Sequence, residues 1–84
     1  MTMNCQTENI INECVRYTEQ LSAFDEFRVV DILGDLSVVG ISESTLYYIC
    51  EKFKLLVLQN NVMGIQIIED NTETVCEVKY KKMF

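Results

Sequence analysis

The ten residues from Gly40 to Ile49 constrain the fold of this chain more than any other stretch. Gly40 has no Cβ atom, so it can adopt the left-handed backbone conformation that ends a helix. Ser42 can then accept a hydrogen bond from a backbone amide one turn further on and begin another helix. The apolar residues that follow recur at helical spacing, at Leu46, Ile49 and Phe53. This stretch therefore predicts a tight turn that leads into an amphipathic helix.

Two further helices are predicted before the turn. Apolar residues at helical spacing indicate a first helix over about residues 8–23, capped by Thr7, and a shorter second helix over about 27–37. Gly34 lies inside the second helix, where glycine lowers the stability of the helix by about 1 kcal/mol relative to alanine. Either another backbone approaches closely at this glycine, or the glycine simply ends a poor helix. The third helix is expected to run over residues 42–54.

After residue 54 the apolar pattern changes from helical to alternating, which is typical of strands. Residues 62–82 predict a C-terminal β-hairpin, with a turn at residues 70–72. A short strand at residues 55–59 would extend the hairpin into a three-stranded meander. The length of 84 residues and the apolar fraction of 49% fit a single folded α+β domain over residues 1–84.

The composition argues against several classes of function. The chain has no histidine and no glycine-rich phosphate loop, so we expect no enzyme activity, no metal site and no cofactor. No apolar run reaches the length of about 18 residues that a membrane helix needs, and the N-terminal region is acidic, so we expect an intracellular, cytoplasmic protein. Four separate cysteines predict reduced packing residues: Cys5, Cys14, Cys50 and Cys76.

The sequence Gly40-Ile41-Ser42-Glu43-Ser44-Thr45-Leu46 resembles the Gly-Val-Ser-x-Ser-Thr-Val turn of many bacterial and phage repressors. Three helices followed by a hairpin also resemble the winged helix-turn-helix superfamily over residues 8–82. The resemblance implies a three-helix helix-turn-helix core with a C-terminal wing. Two positions depart from the family pattern: Leu36 replaces a small residue before the turn, and no glycine precedes the hairpin until Gly64.

That resemblance implies binding of duplex DNA and regulation of transcription, with the third helix in the major groove and lysines of the wing on the phosphate backbone. A symmetric dimer would double the number of phosphate contacts, which is useful because one protomer offers few lysines. The residues expected at the interface are Ser42, Glu43, Ser44, Tyr47, Tyr48, Glu51, Lys52, Lys79, Lys81 and Lys82.

Binding to a protein is the alternative. Thirteen acidic against seven basic residues leave a net charge of −6, which repels nucleic acid and attracts a basic partner such as a nucleic-acid enzyme or a transcription factor. Tyr47 and Tyr48 offer a large amphipathic contact area if both are exposed. One of the two could instead pack beneath the hairpin. The small size also resembles phage-encoded regulators and inhibitors.

Overall fold

The computed structural model describes residues 2–70 and 73–84, and of residues 2–5 it describes the backbone alone. Over these residues the chain forms three α-helices, a three-stranded antiparallel sheet and one turn of 3-10 helix at Val75–Glu77. The prediction of an α+β fold is therefore confirmed. In chain order the helices and strands are α1 (Thr2–Thr18), β1 (Glu26–Phe27), α2 (Val29–Asp35), α3 (Glu43–Leu58), β2 (Ile65–Glu69) and β3 (Lys79–Lys82).

The sheet has the strand order β1-β3-β2 and is centred on Tyr80 of β3. Tyr80 lies opposite Phe27 of β1 and Ile67 of β2, and both pairs of strands are antiparallel. The predicted hairpin thus forms, but the meander is wrong, because the third strand precedes α2 and joins the free edge of β3. A strand of two residues such as β1 has almost no local signal and is stabilised by the pairing itself.

Three aromatic rings from different elements form the centre of the core. Phe27 of β1 stacks on Tyr80 of β3, with ring centroids 5.4 Å apart and planes at 21°. Phe53 of α3 meets Tyr80 edge-on at 5.1 Å. Because both arrangements suit the quadrupoles of aromatic rings, the cluster holds α3 against the inner face of the sheet.

The first helix differs from its predicted bounds of 8–23. It begins at Thr2, so Thr7 lies inside it rather than at its cap, and it ends at Thr18. The hydroxyl of Thr18 donates a hydrogen bond to the carbonyl of Val15 at 2.6 Å. The next three amides bond to carbonyls only three residues back, which tightens the chain into turns and stops the helix.

The second helix is shorter than the predicted 27–37. Arg28 is in extended conformation at its N-cap, and its amide donates to Asp31 Oδ2 at 3.0 Å. At the other end the left-handed residue that terminates the helix is Ser37, with φ +60°, whereas Gly40 is left-handed three residues later, in the turn before α3. Of the two alternatives for Gly34, the close approach of another backbone is wrong, because no atom outside the local chain lies within 4 Å of the position that a Cβ would occupy there.

The third helix begins as predicted but continues four residues beyond residue 54. Ser42 accepts a hydrogen bond from the amide of Thr45 at 3.2 Å, and Gly40 has φ +76°. The predicted strand at 55–59 is wrong, because Val57 continues the buried side of α3. The helix ends at Leu58, and Asn60 just after it is left-handed, with φ +61°, and donates from its amide to Val57 O at 3.0 Å.

Cysteines fill the space between α1, α3 and the 3-10 turn. Cys14, Cys50 and Cys76 are buried free thiols, whereas the side chain of Cys5 lies outside the described residues. The 3-10 turn places Cys76 beneath α3, so the alternating apolar pattern of residues 74–78 does not form a strand as predicted. The predicted turn at 70–72 lies mostly outside the described residues.

Candidate interaction face on the third helix

The position of α3 in the core decides which of its side chains face outward. Ile49, Cys50, Phe53 and Val57 are buried against α1, the 3-10 turn and the sheet. Residues on the other side of a helix with 3.6 residues per turn must then point away from the core. This outward side is called the α3 outer face below and consists of Ser44, Tyr47, Tyr48, Glu51, Leu55 and Leu58.

The α3 outer face is largely apolar although it is exposed. The exposed fractions of the residues are 45% for Tyr47, 46% for Tyr48, 49% for Leu55 and 60% for Leu58. The alternative in which one tyrosine packs beneath the hairpin is therefore wrong. Scattered exposed apolar residues are ordinary, but four of them on one side of one helix form a continuous strip.

Sequence reasoning missed Leu55 and Leu58 as parts of this face because it placed them in a strand. The signal that could have found them is the spacing from Ser44 through Tyr48 and Glu51, which continues in alternating steps of four and three residues. A run of apolar residues at 55–58 fits both a strand and a helix, so the ambiguity is resolved only by knowing where α3 ends.

The residues at the start of α3 have local roles. The Ser42 hydroxyl caps the helix and lies 2.9 Å from Thr45 Oγ1 and 3.2 Å from Ser44 Oγ. Glu43 and Ser44 are exposed in the first turn. Glu43 is favourably placed there, because the positive end of the helix dipole stabilises a carboxylate.

The four lysines predicted to contact phosphates differ in what they contact within the chain. Lys79 Nζ lies 3.9 Å from Glu69 Oε1, and Lys82 Nζ donates to the carbonyl of Thr18 at 2.6 Å. Lys81 Nζ lies 5.5 Å from the centroid of the Phe24 ring. Lys52 is half-buried at the edge of α3 and has no ion pair within the described parts of the chain.

Carboxylates also neutralise the remaining bases. Lys54 of α3 lies 2.8 Å from Asp70, at the end of β2. Arg28 bridges Asp31 at 3.2 Å and Glu77 at 2.8 Å, and the same guanidinium lowers the pKa of Asp31. Arg16 pairs with an acid on its own helix. Among the described residues, cations without a carboxylate partner are thus limited to Lys52, Lys81 and Lys82.

The connection between β2 and β3 is acidic. Its described part carries Asp70, Glu73 and Glu77, and Glu69 immediately precedes it. The two lysines that contact this region, Lys54 and Lys79, are both paired with its carboxylates. The part of the hairpin nearest to α3 therefore presents little uncompensated positive charge.

An acidic cleft of about 280 Å³ between α1, β1 and α2 is lined by Asp25, Asp31 and Asp35. Glu26 also lines the cleft. The three aspartates are bonded within the chain, Asp35 to the hydroxyl of Tyr17, Asp25 to the amide of Ser22 and Asp31 to Arg28. The bond to Asp35 raises the pKa of Tyr17. No group of three metal-ligating side chains is found among the described residues.

None of the helices that the structure describes is both long enough and apolar enough to cross a bilayer. No family model matches this sequence, and neither a curated protein nor a solved structure is significantly similar to it.

Proposed function

We propose that this chain is a protein-binding module with the winged-helix architecture, and that it docks through the α3 outer face. The architecture is supported by the order of its elements, in which β1 lies between α1 and α2 and joins the edge of a C-terminal hairpin. The turn from Ser37 to Ser42, between α2 and α3, supports the helix-turn-helix part. In this architecture α3 is the helix that meets a ligand.

The observation that carries the proposal is the chemistry of the α3 outer face. Tyr47, Tyr48, Leu55 and Leu58 are each about half exposed, and the charged residue among them is the acid Glu51. Aromatic residues are enriched at the centres of protein interfaces, whereas affinity for DNA comes mainly from uncompensated bases. Such a face therefore suits a protein surface better than a phosphate backbone.

Photo-crosslinking tests the docking face directly. We would place benzoylphenylalanine at position 48 or 55, and at exposed Asn12 of α1 as the control, and irradiate each variant in a lysate of the source cells. Protein adducts are expected from positions 48 and 55 and not from position 12. Equal adducts at all three positions, or none at 48 and 55, would rule out the α3 outer face as the docking site.

Binding to duplex DNA is the second candidate, and it is favoured by the same architecture and by Lys52, Lys81 and Lys82, which have no carboxylate partner among the described residues. Each neutralised phosphate changes the slope of log affinity against log salt by about 0.9, so three lysines correspond to a slope of about −2.7. A titration of mixed-sequence duplex, followed by fluorescence anisotropy from about 50 to 200 mM salt, measures that slope. Absence of any complex at the lowest salt eliminates this candidate.

A further inference from the structure

The α3 outer face has the spacing of a helix that packs on another helix. Ser44, Tyr48, Glu51, Leu55 and Leu58 follow one another in steps of four, three, four and three residues. An average step of 3.5 residues is the repeat with which side chains of one helix fit between those of a neighbour. From residue 44 to 58 the strip is roughly 21 Å long at 1.5 Å per residue, which corresponds to about four helical turns.

The charge at the middle of this strip has no partner within the described residues. Glu51 has tyrosines three and four residues before it and Leu55 four residues after it. The base three residues after it is Lys54, whose ammonium lies 2.8 Å from Asp70. A protein that covers the strip must therefore supply a cation for Glu51, because burying an unpaired carboxylate is costly.

We propose that the occupant of the α3 outer face is a basic amphipathic helix of another protein. Its apolar side chains pack on Tyr48, Leu55 and Leu58, and an arginine or lysine faces Glu51. This inference rests on the proposed docking function and adds the class of partner. The net charge of −6 favours the same kind of segment, because it attracts basic chains and repels acidic ones.

A second copy of this chain fits the same strip poorly. Two α3 helices that pair antiparallel about the centre of the strip would bring the two Glu51 carboxylates together. Lys54 cannot relieve this repulsion without leaving Asp70. The charge at the centre of the strip therefore favours a different, basic chain over self-association.

A displayed library of random 18-residue peptides, selected on the immobilised full chain, identifies the class of partner. The variant Leu55→Glu, which alters an exposed position, serves for counter-selection. We expect recovered peptides with apolar residues at spacings of three and four and with a basic residue between them. The inference would be overturned if the recovered peptides were proline-rich or acidic, or if they bound the Leu55→Glu variant as tightly as the wild type. Failure to recover any binder would also overturn it.

Charge reversal then tests the pairing at Glu51. The substitution Glu51→Arg is expected to weaken the best peptide at least about tenfold, and reversing the basic residue of the peptide to glutamate should restore binding. Glu19→Arg is the matched control, since it makes the same change of net charge at an exposed position in the turn that follows α1. Equal losses in the two variants, or no restoration, would contradict a specific contact with Glu51.

The two proposals fail in different ways. If crosslinks form at position 48 but charge reversal has no specific effect, the docking face stands and the basic helix is wrong. If neither position 48 nor position 55 gives a crosslink to another protein, the docking function itself is wrong. Sedimentation that shows a dimer abolished by Leu55→Glu would identify a second copy as the occupant and overturn the basic helix.

Discussion

Tyr80 combines complete burial with an unsatisfied hydroxyl. Its ring contacts Phe27 and Phe53 at the centre of the core, yet its hydroxyl has no hydrogen-bond partner within the described residues. A buried hydroxyl without a partner costs about 1–3 kcal/mol of stability. Burial also raises the pKa of the phenol.

The substitution Tyr80→Phe should therefore leave stability unchanged or increase the free energy of unfolding by up to about 3 kcal/mol, because it removes the unsatisfied group and keeps the ring. Urea unfolding at neutral pH measures the change. Tyr17→Phe is the control, since it removes a hydroxyl that donates to Asp35, and it should lower the unfolding midpoint. A loss above about 1 kcal/mol in Tyr80→Phe would mean that its hydroxyl is bonded.

Two glycines in open space should respond oppositely to alanine. Gly34 is helical, and Gly40 has φ +76°, while neither has an atom within 4 Å of an added Cβ outside its local chain. Gly34→Ala should stabilise by about 0.5–1 kcal/mol through helix propensity. Gly40→Ala should destabilise by about 1–2 kcal/mol through left-handed strain. Thermal unfolding of both variants tests this prediction, and a change of the same sign in both would contradict it.

At the scale of elements, two helices end in the same way without glycine. Ser37 after α2 and Asn60 after α3 are both left-handed, with φ +60° and +61°. In each case the following amide bonds back into the last turn, from Val38 to Leu33 O at 3.0 Å and from Asn61 to Leu56 O at 2.8 Å. These are the bonds of a Schellman motif, which usually has glycine at the left-handed position.

Replacing these two residues by glycine should stabilise the chain by different amounts. Ser37→Gly is expected to gain about 0.5–1 kcal/mol, because serine is strained in the left-handed region and glycine is not. Asn60→Gly should gain less, since asparagine tolerates that region. Paired urea titrations of the two variants test the order. A larger gain at residue 60 than at residue 37 would contradict this explanation.

Local signals predicted the beginning of α3 better than its end. Ser42 caps the helix within one turn, so the cap can be read from four consecutive residues. The end depends on Asn60, and the apolar residues before it fit a strand equally well. The sequence alone therefore does not assign Leu55 and Leu58 to the α3 outer face; the full length of α3 does.

At the scale of the whole molecule, the buried thiols should make stability fall at alkaline pH. Burial, and secondarily the charge of Glu13, raises the pKa of Cys14 to about 12, and burial also raises the pKa of Cys50. Unfolded thiols ionise near pH 8.5. Between these values the folded chain binds more protons than the unfolded chain, so the free energy of unfolding decreases as the pH rises.

The expected loss is at most about 1.4 kcal/mol per pH unit for each such thiol. It should be absent below about pH 8 and measurable between about pH 9 and 10.5 by urea unfolding. Cys14→Ala should lower stability at neutral pH. It should also reduce the rate at which the free energy of unfolding falls with pH above about pH 9, because one proton is no longer released on unfolding. An unchanged slope in this variant, or equal wild-type stability at both ends of the range, would contradict the explanation.

Charge shows a similar limit of prediction at this scale. The net charge of −6 and the lysines near the C-terminus are properties of the sequence. Which bases are neutralised by a nearby carboxylate is not a property of the sequence. Lys54 meets Asp70, and Arg28 meets Glu77, only after the hairpin folds against the helices. These pairings decide how much uncompensated positive charge the folded chain presents.

The sequence by itself determined the α+β class, the turn at Gly40, the cap at Ser42 and the inner side of α3. Each of these follows from interactions within one or two turns of chain. The tertiary structure alone decided that residues 26–27 form a strand, that α3 reaches Leu58 and that both tyrosines are exposed. These features depend on contacts between distant segments, such as Phe27 with Tyr80, which no local pattern of residues encodes.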